Sequence, residues 1–369
     1  MRRQDFDYDL PTELIAQHPL PGRDRARLMV VDRTAQRIHH HHFFEIDQFL
    51  PPESLMVLND SKVIPARLRG NREKSGGQVE IFLLNRLPDG SSYEAMIRPL
   101  RRLKIGEKIV FQKSSIYAEL IDAKKRIVRF NRKDISRHLG TIGHLPLPPY
   151  IKRADTDVDR EYYQTVYAKN SGSVAAPTAG LHFTDSLLQR LKSQSHEFSK
   201  VTLHINYATF SPVKEENILQ HKMHEEQYVV SAKTQTAILK ARGEGRKIVA
   251  VGTTSCRVLE TLACAPKESS RDMMKVTGGA APGDQIQGAA PPASSSKPHR
   301  ICATTNIFIY PGYDFHMTDL LITNFHLPQS TLLMLVYAFG SPALMKKAYQ
   351  EAITQRYRFY SYGDAMIII

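Results

Sequence analysis

The sequence predicts an α/β main domain, with an open, mostly parallel sheet flanked by helices, and a small antiparallel β-barrel domain inserted into it. Three observations lead to this prediction. Most of the 369-residue chain alternates apolar strand patterns with helical ones, as in open α/β sheets. Residues 67–153 instead hold short strand patterns separated by turn residues. The same segment carries 20 basic and 8 acidic residues, so +12 of the chain's net charge of +13 falls in under a quarter of its length.

The predicted barrel strands cover residues 79–84, 93–100, 108–111, 116–123 and 125–130, with turn sequences such as PDGSS at 88–92 between them. A proline-rich stretch at 145–152 then leads the chain out in an extended conformation. We therefore expect residues 1–66 to be the first part of the α/β domain. Residues 67–153 form the inserted basic barrel, and residues 154–369 form the second part of the α/β domain.

The second part of the α/β domain carries several helix signals. Thr184 is placed to cap a helix over 186–192, and Ser231 to cap one over 231–245. An apolar strand pattern at 247–255 leads into a helix over 257–263, and Pro342 favours a helix start that continues to about residue 355. Residues 265–300, rich in Gly, Pro, Ala and Ser, are expected to form a flexible loop.

Composition argues against several classes of protein. The longest apolar run, 332–339, is far shorter than the ~20 residues of a membrane span, and the first residues lack the apolar core of a secretory signal. The three cysteines form no CxxC pair, and the histidines at 39–42 would alternate across a strand, so we expect no bound metal. These features predict a cytoplasmic protein with no membrane partner, which we expect to be a monomer.

Polar clusters follow the predicted strands, where the ligands of open α/β sheets bind. The clusters contain Asn59, Asp60 and Lys62; His182; His224 and Glu226; Thr253, Thr254 and Arg257; and Asn324, His326 and Ser330. Each cluster has a structural alternative, since a loop histidine is often only hydrogen bonded and Ser330 or Thr184 can be simple helix caps. No GxGxxG or Walker A sequence is present. The clusters together indicate an enzyme without identifying its reaction.

Longer motifs identify a family. They include VLNDSKVIPARL (57–68), GSVAAPTAGLHFT (172–184), VAVGTTSCRVLET (249–261), LLITNFHLPQSTLLMLVYAF (320–339) and YRFYSYGDAM (357–366). In these stretches, which run from end to end in the family's order, the sequence resembles the S-adenosylmethionine:tRNA ribosyltransferase-isomerases of queuosine biosynthesis. The resemblance also implies an α/β domain interrupted by a β-barrel.

The resemblance implies a reaction and its substrates. The ribosyl group of S-adenosylmethionine, a cosubstrate and not a tightly bound cofactor, is transferred and isomerised onto 7-aminomethyl-7-deazaguanine at the wobble position of a tRNA with a GUN anticodon. The products are epoxyqueuosine, adenine and methionine. This chemistry needs proton transfer and substrate positioning. We assign the first to His182, His224, Glu226, His326 and Asp60, and the second to Asn59, Lys62, Thr253, Thr254, Arg257, Asn324 and Ser330.

The concentrated charge of residues 67–153 predicts a polyanionic partner, with nucleic acid as the first candidate. With the resemblance, that partner is the tRNA backbone. The residues expected to contact it form two basic clusters: Arg98, Arg101, Arg102 and Lys104, and Lys124, Lys125, Arg126 and Arg129.

Two other functions stay open at this point. A basic RNA-binding protein without activity would bind tRNA and release no adenine. A methyltransferase would use the same cosubstrate, although the sequence lacks the glycine-rich first loop that such enzymes commonly carry.

Overall fold

The computed structural model describes residues 1–112, 114–206, 213–264 and 299–369. Contacts between residues divide the chain into two compact units. The larger unit comprises Met1–Ser61, Thr165–Asn170 and Pro177–Ile369, and the smaller unit comprises Lys62–Gln164 and Ser171–Ala176. The smaller unit thus reaches beyond the expected range of 67–153 on both sides. Most of the expected flexible loop, residues 265–298, lies outside the described residues.

The strands, in chain order, are β1 (Arg27–Asp32), β2 (Arg37–His42), β3 (Leu55–Asn59), β4 (Ser61–Val63), β5 (Arg67–Arg72), β6 (Gln78–Arg86), β7 (Ser92–Arg98), β8 (Lys108–Val110), β9 (Tyr117–Asp122), β10 (Ile127–Phe130), β11 (Gly143–His144), β12 (Asn170–Ser173), β13 (Glu197–Leu203), β14 (Glu226–Val230), β15 (Ile248–Val251), β16 (Ile301–Thr305), β17 (Leu320–Asn324) and β18 (Ala365–Ile368). The helices are α1 (Leu139–Ile142), α2 (Asp157–Tyr162), α3 (Asp185–Ser193), α4 (Ala232–Gly243), α5 (Thr253–Cys264), α6 (Thr331–Gly340) and α7 (Pro342–Thr354).

A nine-stranded sheet forms the centre of the larger unit, in the order β16-β14-β13-β3-β15-β17-β18-β1-β2. The α/β class is confirmed, but the sheet is mixed where a mostly parallel one was expected. Four neighbouring pairs are parallel (β13 with β3, β3 with β15, β15 with β17, and β1 with β18) and four are antiparallel. One reason is that short links such as that between β1 and β2 allow only antiparallel pairing.

Apolar side chains of the central strands and of α3 form the core of the larger unit. Both β15 and β17 are buried along their whole length, as their continuous apolar patterns predict. One face of the sheet packs against α3, which contributes Leu187, Leu188 and Leu191. The core therefore runs along the central strands and reaches the last residue of β15.

Local sequence signals place the helices that border these strands. Thr184 and Ser231 cap α3 and α4 as predicted, each accepting a backbone hydrogen bond from three residues further on. Helix α5 begins at Thr253, four residues earlier than predicted. The reason is Gly252, whose φ of +90° turns the chain directly from β15 into the helix, a conformation that side chains disfavour.

The smaller unit contains the predicted antiparallel β-barrel. All five predicted strands are present as β6 to β10, and β5, which was not predicted, completes the ring. The order β5-β6-β7-β10-β9-β8 closes because β8 pairs again with β5, and β11 adds to β5 outside the ring. At the closure, a Cβ on Gly70 would lie 2.7 Å from Ile109 Cγ2 and 2.8 Å from the Val110 carbonyl oxygen. Only glycine lets these strands approach so closely.

Across the described ranges, no helix combines the length and the apolar character that crossing a bilayer would require.

Candidate active site and nucleic-acid surface

Three neighbouring parallel strands end side by side at one edge of the large sheet. β3 ends at Asn59, β15 at Val251 and β17 at Asn324. The register pairs Val251 with Leu58 on one side and with Ile322 on the other. We call residues 59–60, 252–257 and 324–326 the carboxyl edge. Most of the predicted site residues lie on it, at the position where open α/β sheets bind their ligands.

Asn59 is fully buried and ties three elements of the carboxyl edge together. Its Nδ2 donates to the Leu203 carbonyl oxygen at 3.0 Å and to Thr254 Oγ1 at 3.2 Å. Its Oδ1 accepts from the backbone N–H groups of Ser61 at 3.1 Å and Leu203 at 3.0 Å. A primary amide has two donor hydrogens and two acceptor lone pairs, so the side chain is saturated. Asn59 is therefore a residue that orders the edge.

His182 meets the carboxyl edge from the 3₁₀ helix Thr178–His182. Its Nε2 lies 3.1 Å from Nδ2 of Asn324, which also faces the carbonyl oxygens of Tyr360 and Asp364. Since carbonyl oxygens only accept, Nδ2 is the donor and Nε2 of His182 carries no proton. Burial lowers the pKa of His182 to about 4, against a smaller opposing effect of a hydrogen bond to the backbone of Arg23. The imidazole is neutral at pH 7.

His326 is held through both its backbone and its ring. Its backbone N–H donates to Tyr349 Oη at 3.0 Å, and Tyr8 Oη donates to its carbonyl oxygen. The ring Nε2 lies 2.7 Å from Thr323 Oγ1. Burial lowers the pKa of His326 to about 3, so this imidazole is also neutral at pH 7. Neither histidine is therefore a cation at pH 7, and each ring keeps one N–H donor and one acceptor nitrogen.

Ser330 occupies the N-cap of α6. Its Oγ accepts from the Leu333 backbone N–H at 3.2 Å and donates to the Leu327 carbonyl oxygen at 2.7 Å. Both hydrogen-bonding functions of the hydroxyl are therefore used locally, which fits the capping alternative for this residue.

Glu226 and Arg257 form a buried ion pair, with side chains 4% and 5% exposed. Glu226 Oε2 accepts from Arg257 Nη1, and Oε1 accepts from the Asn206 backbone N–H at 3.1 Å. Glu226 is the first residue of β14, whereas His224 precedes the strand and is exposed. Because β14 begins only at Glu226, strand alternation does not place His224 beside the Glu226 carboxylate.

Asp60 is buried among polar side chains that were not predicted from the sequence. Its Oδ1 accepts from Thr202 Oγ1 at 2.6 Å and from Asn170 Nδ2 at 3.0 Å. Tyr167 is close enough for the Asp60 carboxylate to add to the effect of burial, which raises the pKa of this phenol far above its usual range. The Tyr167 hydroxyl is buried and has no hydrogen-bond partner within the described ranges. No local pattern marks Tyr167, since only the fold brings it beside Asp60.

The remaining predicted positioning residues differ in their surroundings. Thr253 and Thr254 are buried in the first turn of α5, next to the end of β15. Lys62 is exposed and belongs to the smaller unit.

No group of three or more His, Cys, Asp or Glu side chains suited to hold a metal ion occurs in the part of the chain that the structure describes. The histidine run at 39–42 lies on β2, where His40 contacts Glu351 and Tyr357 at 2.8 Å each.

The barrel presents the expected cations to solvent. All eight predicted RNA-binding side chains are exposed: Arg98, Arg101, Arg102, Lys104, Lys124, Lys125, Arg126 and Arg129. Arg129 pairs with Glu119 at 3.3 Å, and the other seven form no ion pair with any described residue. Unpaired exposed cations are available to phosphates at little desolvation cost.

A cleft of about 730 Å³ opens on the same barrel. The paired strands β5, β6 and β7 place Arg69, Glu80 and Arg98 in one cross-strand row along it. Amide side chains of Asn71, Gln78 and Gln112 also line it. Two guanidinium groups flank one carboxylate, so the row keeps a positive charge.

Comparison with known proteins agrees with this architecture. A family model described as queuosine biosynthesis protein matches residues 3–368. An S-adenosylmethionine:tRNA ribosyltransferase-isomerase from Caldanaerobacter subterraneus is 45% identical over 373 aligned positions, and one from Sulfurihydrogenibium sp. is 43% identical over 371; each alignment covers 100% of both chains. The crystal structure of S-adenosylmethionine tRNA ribosyltransferase from Thermotoga maritima is similar with a TM-score of 0.54 and 35% identity, covering 99% of this chain and 100% of that one. The chain therefore belongs to the queuosine biosynthesis family of S-adenosylmethionine:tRNA ribosyltransferase-isomerases.

Proposed function

We propose that this protein transfers and isomerises the ribosyl group of S-adenosylmethionine onto 7-aminomethyl-7-deazaguanine at the wobble position of tRNA. The products are epoxyqueuosine in tRNA, adenine and methionine. The observation that carries the proposal is identity of 43–45% to ribosyltransferase-isomerases over the full length of both chains. The buried polar groups at the carboxyl edge supply a site with the required chemical character.

The reaction asks for a proton acceptor, a donor for the leaving adenine, and an amine held in place. A ribosyl carbon beside a sulfonium is acidified, so a positioned base can remove its proton. The acid and base candidates are His182, His224, Glu226, His326 and Asp60. Since the two buried histidines are neutral, they serve as proton acceptors or as N–H donors to adenine, and not as resting acids.

The other residues of the carboxyl edge position the substrate. Asn324 orients His182, and Asn59 acts through Thr254, to which it is hydrogen bonded. Thr253 and Arg257 belong to the same helix start. Lys62 and Ser330 complete the set inferred from the motifs. Positioning of this kind converts a reaction between separate molecules into an intramolecular one.

The exposed cations of the barrel contact the tRNA backbone, and they supply affinity without reading sequence. A tRNA with a GUN anticodon is the proposed substrate, and the protein acts as a cytoplasmic monomer without a tightly bound cofactor. The seven unpaired basic side chains support this role for the barrel, since each can neutralise a phosphate without first breaking an ion pair with a described residue.

The test uses S-adenosylmethionine labelled in the ribose and tRNA that carries the aminomethyl base. The proposed reaction places the ribose label in the tRNA and releases one adenine for each transfer. A parallel sample labelled in the methyl group should leave that label in methionine. Methyl label in the RNA would instead indicate a methyltransferase, and tRNA binding without adenine release would indicate an RNA-binding protein that lacks activity.

A further inference from the structure

The guanidinium group of Arg257 is only partly paired within the described part of the chain. The side chain is buried, and its Nη1 is bonded to Glu226. Its Nε and Nη2 are both buried, and neither has a hydrogen-bond partner among the residues that the structure describes. Folded proteins rarely leave the donors of a charged group unpaired, because burial without a partner removes their hydration with nothing in return. The unpaired nitrogens therefore call for a specific acceptor.

The two unpaired nitrogens form one edge of the guanidinium plane. The N–H bonds of Nε and Nη2 point in nearly the same direction, so this edge matches the two oxygens of a carboxylate. The same edge is used elsewhere in this protein. Arg72 in the barrel donates from Nε to Glu107 Oε1 at 2.6 Å and from Nη2 to Oε2 at 3.2 Å. Arg257 presents the corresponding edge without its carboxylate.

Glu226 is committed elsewhere and cannot fill this edge. One of its oxygens is bonded to Arg257 Nη1 and the other accepts from the Asn206 backbone N–H. Moving Glu226 to the free edge would give up both contacts. The arrangement thus fixes the guanidinium from one side and keeps its two-donor edge available.

The location of this edge identifies the substrate concerned. Arg257 follows Thr254 by three residues on α5, so the two side chains lie on the same side of the helix. Thr254 is bonded to Asn59 at the end of β3, and Asn206 follows the end of β13, the parallel neighbour of β3. The free edge therefore belongs to the same side of the sheet as the carboxyl edge.

We propose that the Nε–Nη2 edge of Arg257 binds the α-carboxylate of the methionine part of S-adenosylmethionine. This assignment rests on the proposed function. A tRNA phosphate offers similar oxygens, but the barrel already presents exposed cations for phosphates, whereas a buried two-donor edge fits a planar carboxylate. Arg257 is then a residue that recognises the amino-acid end of the cosubstrate and sets the position of its ribose.

The experiment compares S-adenosylmethionine with its decarboxylated analogue, with dissociation constants measured by calorimetry on the full-length protein. In the wild type, loss of the carboxylate should weaken binding roughly 10- to 100-fold, the range for a charge-assisted pair. Arg257→Lys keeps the charge beside Glu226 but lacks the fork, so it should abolish most of this difference and leave tRNA affinity unchanged. Arg72→Lys makes the same exchange in the barrel and should preserve the difference.

Several outcomes would overturn the assignment. One is an Arg257→Lys variant that weakens both ligands by the same factor, or that keeps the wild-type difference between them. Another is a loss of tRNA affinity alone, which would assign the edge to a phosphate. If Arg257→Lys does not fold, equal binding of the two ligands to the wild type is decisive against the proposal. Ribose transfer by the wild type, measured separately, distinguishes failure of this assignment from failure of the proposed function.

Discussion

Replacing Asn59 with alanine removes four hydrogen bonds at once from the centre of the carboxyl edge. The change leaves the backbone N–H groups of Ser61 and Leu203 and the Leu203 carbonyl oxygen without the side chain that now satisfies them. Each buried polar group left unpaired costs about 1–3 kcal/mol. With three such groups, we expect a loss of about 3–9 kcal/mol in the free energy of unfolding, a large share of the ~5–15 kcal/mol typical of a folded protein.

Chemical denaturation followed by circular dichroism measures this loss, since the midpoint falls while the slope reports on the surface exposed. Asn85→Ala is the matched control. Its amide donates to Glu94 at 2.9 Å on the exposed surface of the barrel, so we expect a change of at most about 0.5 kcal/mol. An Asn59→Ala protein within about 1 kcal/mol of the wild type would refute the reasoning, because it would mean that water or a small backbone shift replaces the network.

Three further predictions concern other parts of the molecule. The pKa of His182 is about 4 in the folded protein and about 6.5 in the unfolded chain. Because the unfolded state therefore binds the proton more readily, acidification between these values should lower the free energy of unfolding by up to about 1.4 kcal/mol per pH unit. His182→Asn should lose this component of the acid sensitivity. Replacing Arg101 and Arg102 with glutamine should reduce the slope of log affinity for tRNA against log salt by about 1.4–1.8, or 0.7–0.9 for each contact. Gly180→Ala should destabilise by about 1–3 kcal/mol, because its Cβ would lie 2.0 Å from Tyr167 Oη, and Tyr167→Phe should recover part of that loss.

Each of these predictions has a result that contradicts it. Acid unfolding curves that stay parallel for the wild type and His182→Asn would remove His182 from the pH response. Glutamines at Lys346 and Lys347, exposed on α7 of the larger unit, are the control for charge. An equal change in salt slope for the two pairs would show that Arg101 and Arg102 act only as general surface charge and make no specific phosphate contacts. For Gly180→Ala, the same loss with tyrosine or phenylalanine at position 167 would show that Tyr167 is not the obstacle.

Much of the fold could be predicted because it follows from local patterns. The barrel strands β6 to β10 and the caps of α3 and α4 depend on residues within a few positions of each other. The order and direction of the strands in the large sheet were harder to predict from the sequence. β18, at the end of the chain, lies between β1 and β17, parallel to the first and antiparallel to the second. No short-range pattern encodes such an arrangement, which explains why the sheet was expected to be mostly parallel.

The candidate site shows the same division. Its residue types could be recognised from motifs at strand ends, because strand and helix boundaries are local. The environments of those residues could not be. Ser330 is engaged as a helix cap, and His224 is exposed while Glu226 is buried. Tyr167 was missed, since its hydroxyl is marked only by burial next to Asp60.

By itself, the sequence determined the α/β class, the basic barrel inserted in it, and the family to which the chain belongs, since these depend on composition, periodicity and long motifs. The tertiary structure alone decided which polar groups are paired. Asn59 and Thr254 are 195 residues apart in the chain, and Glu226 and Arg257 are 31 apart. Hydrogen bonding depends on distances of about 3 Å that arise only after the strands have packed. For that reason the saturated amide of Asn59 and the unpaired edge of Arg257 become visible only in the folded chain.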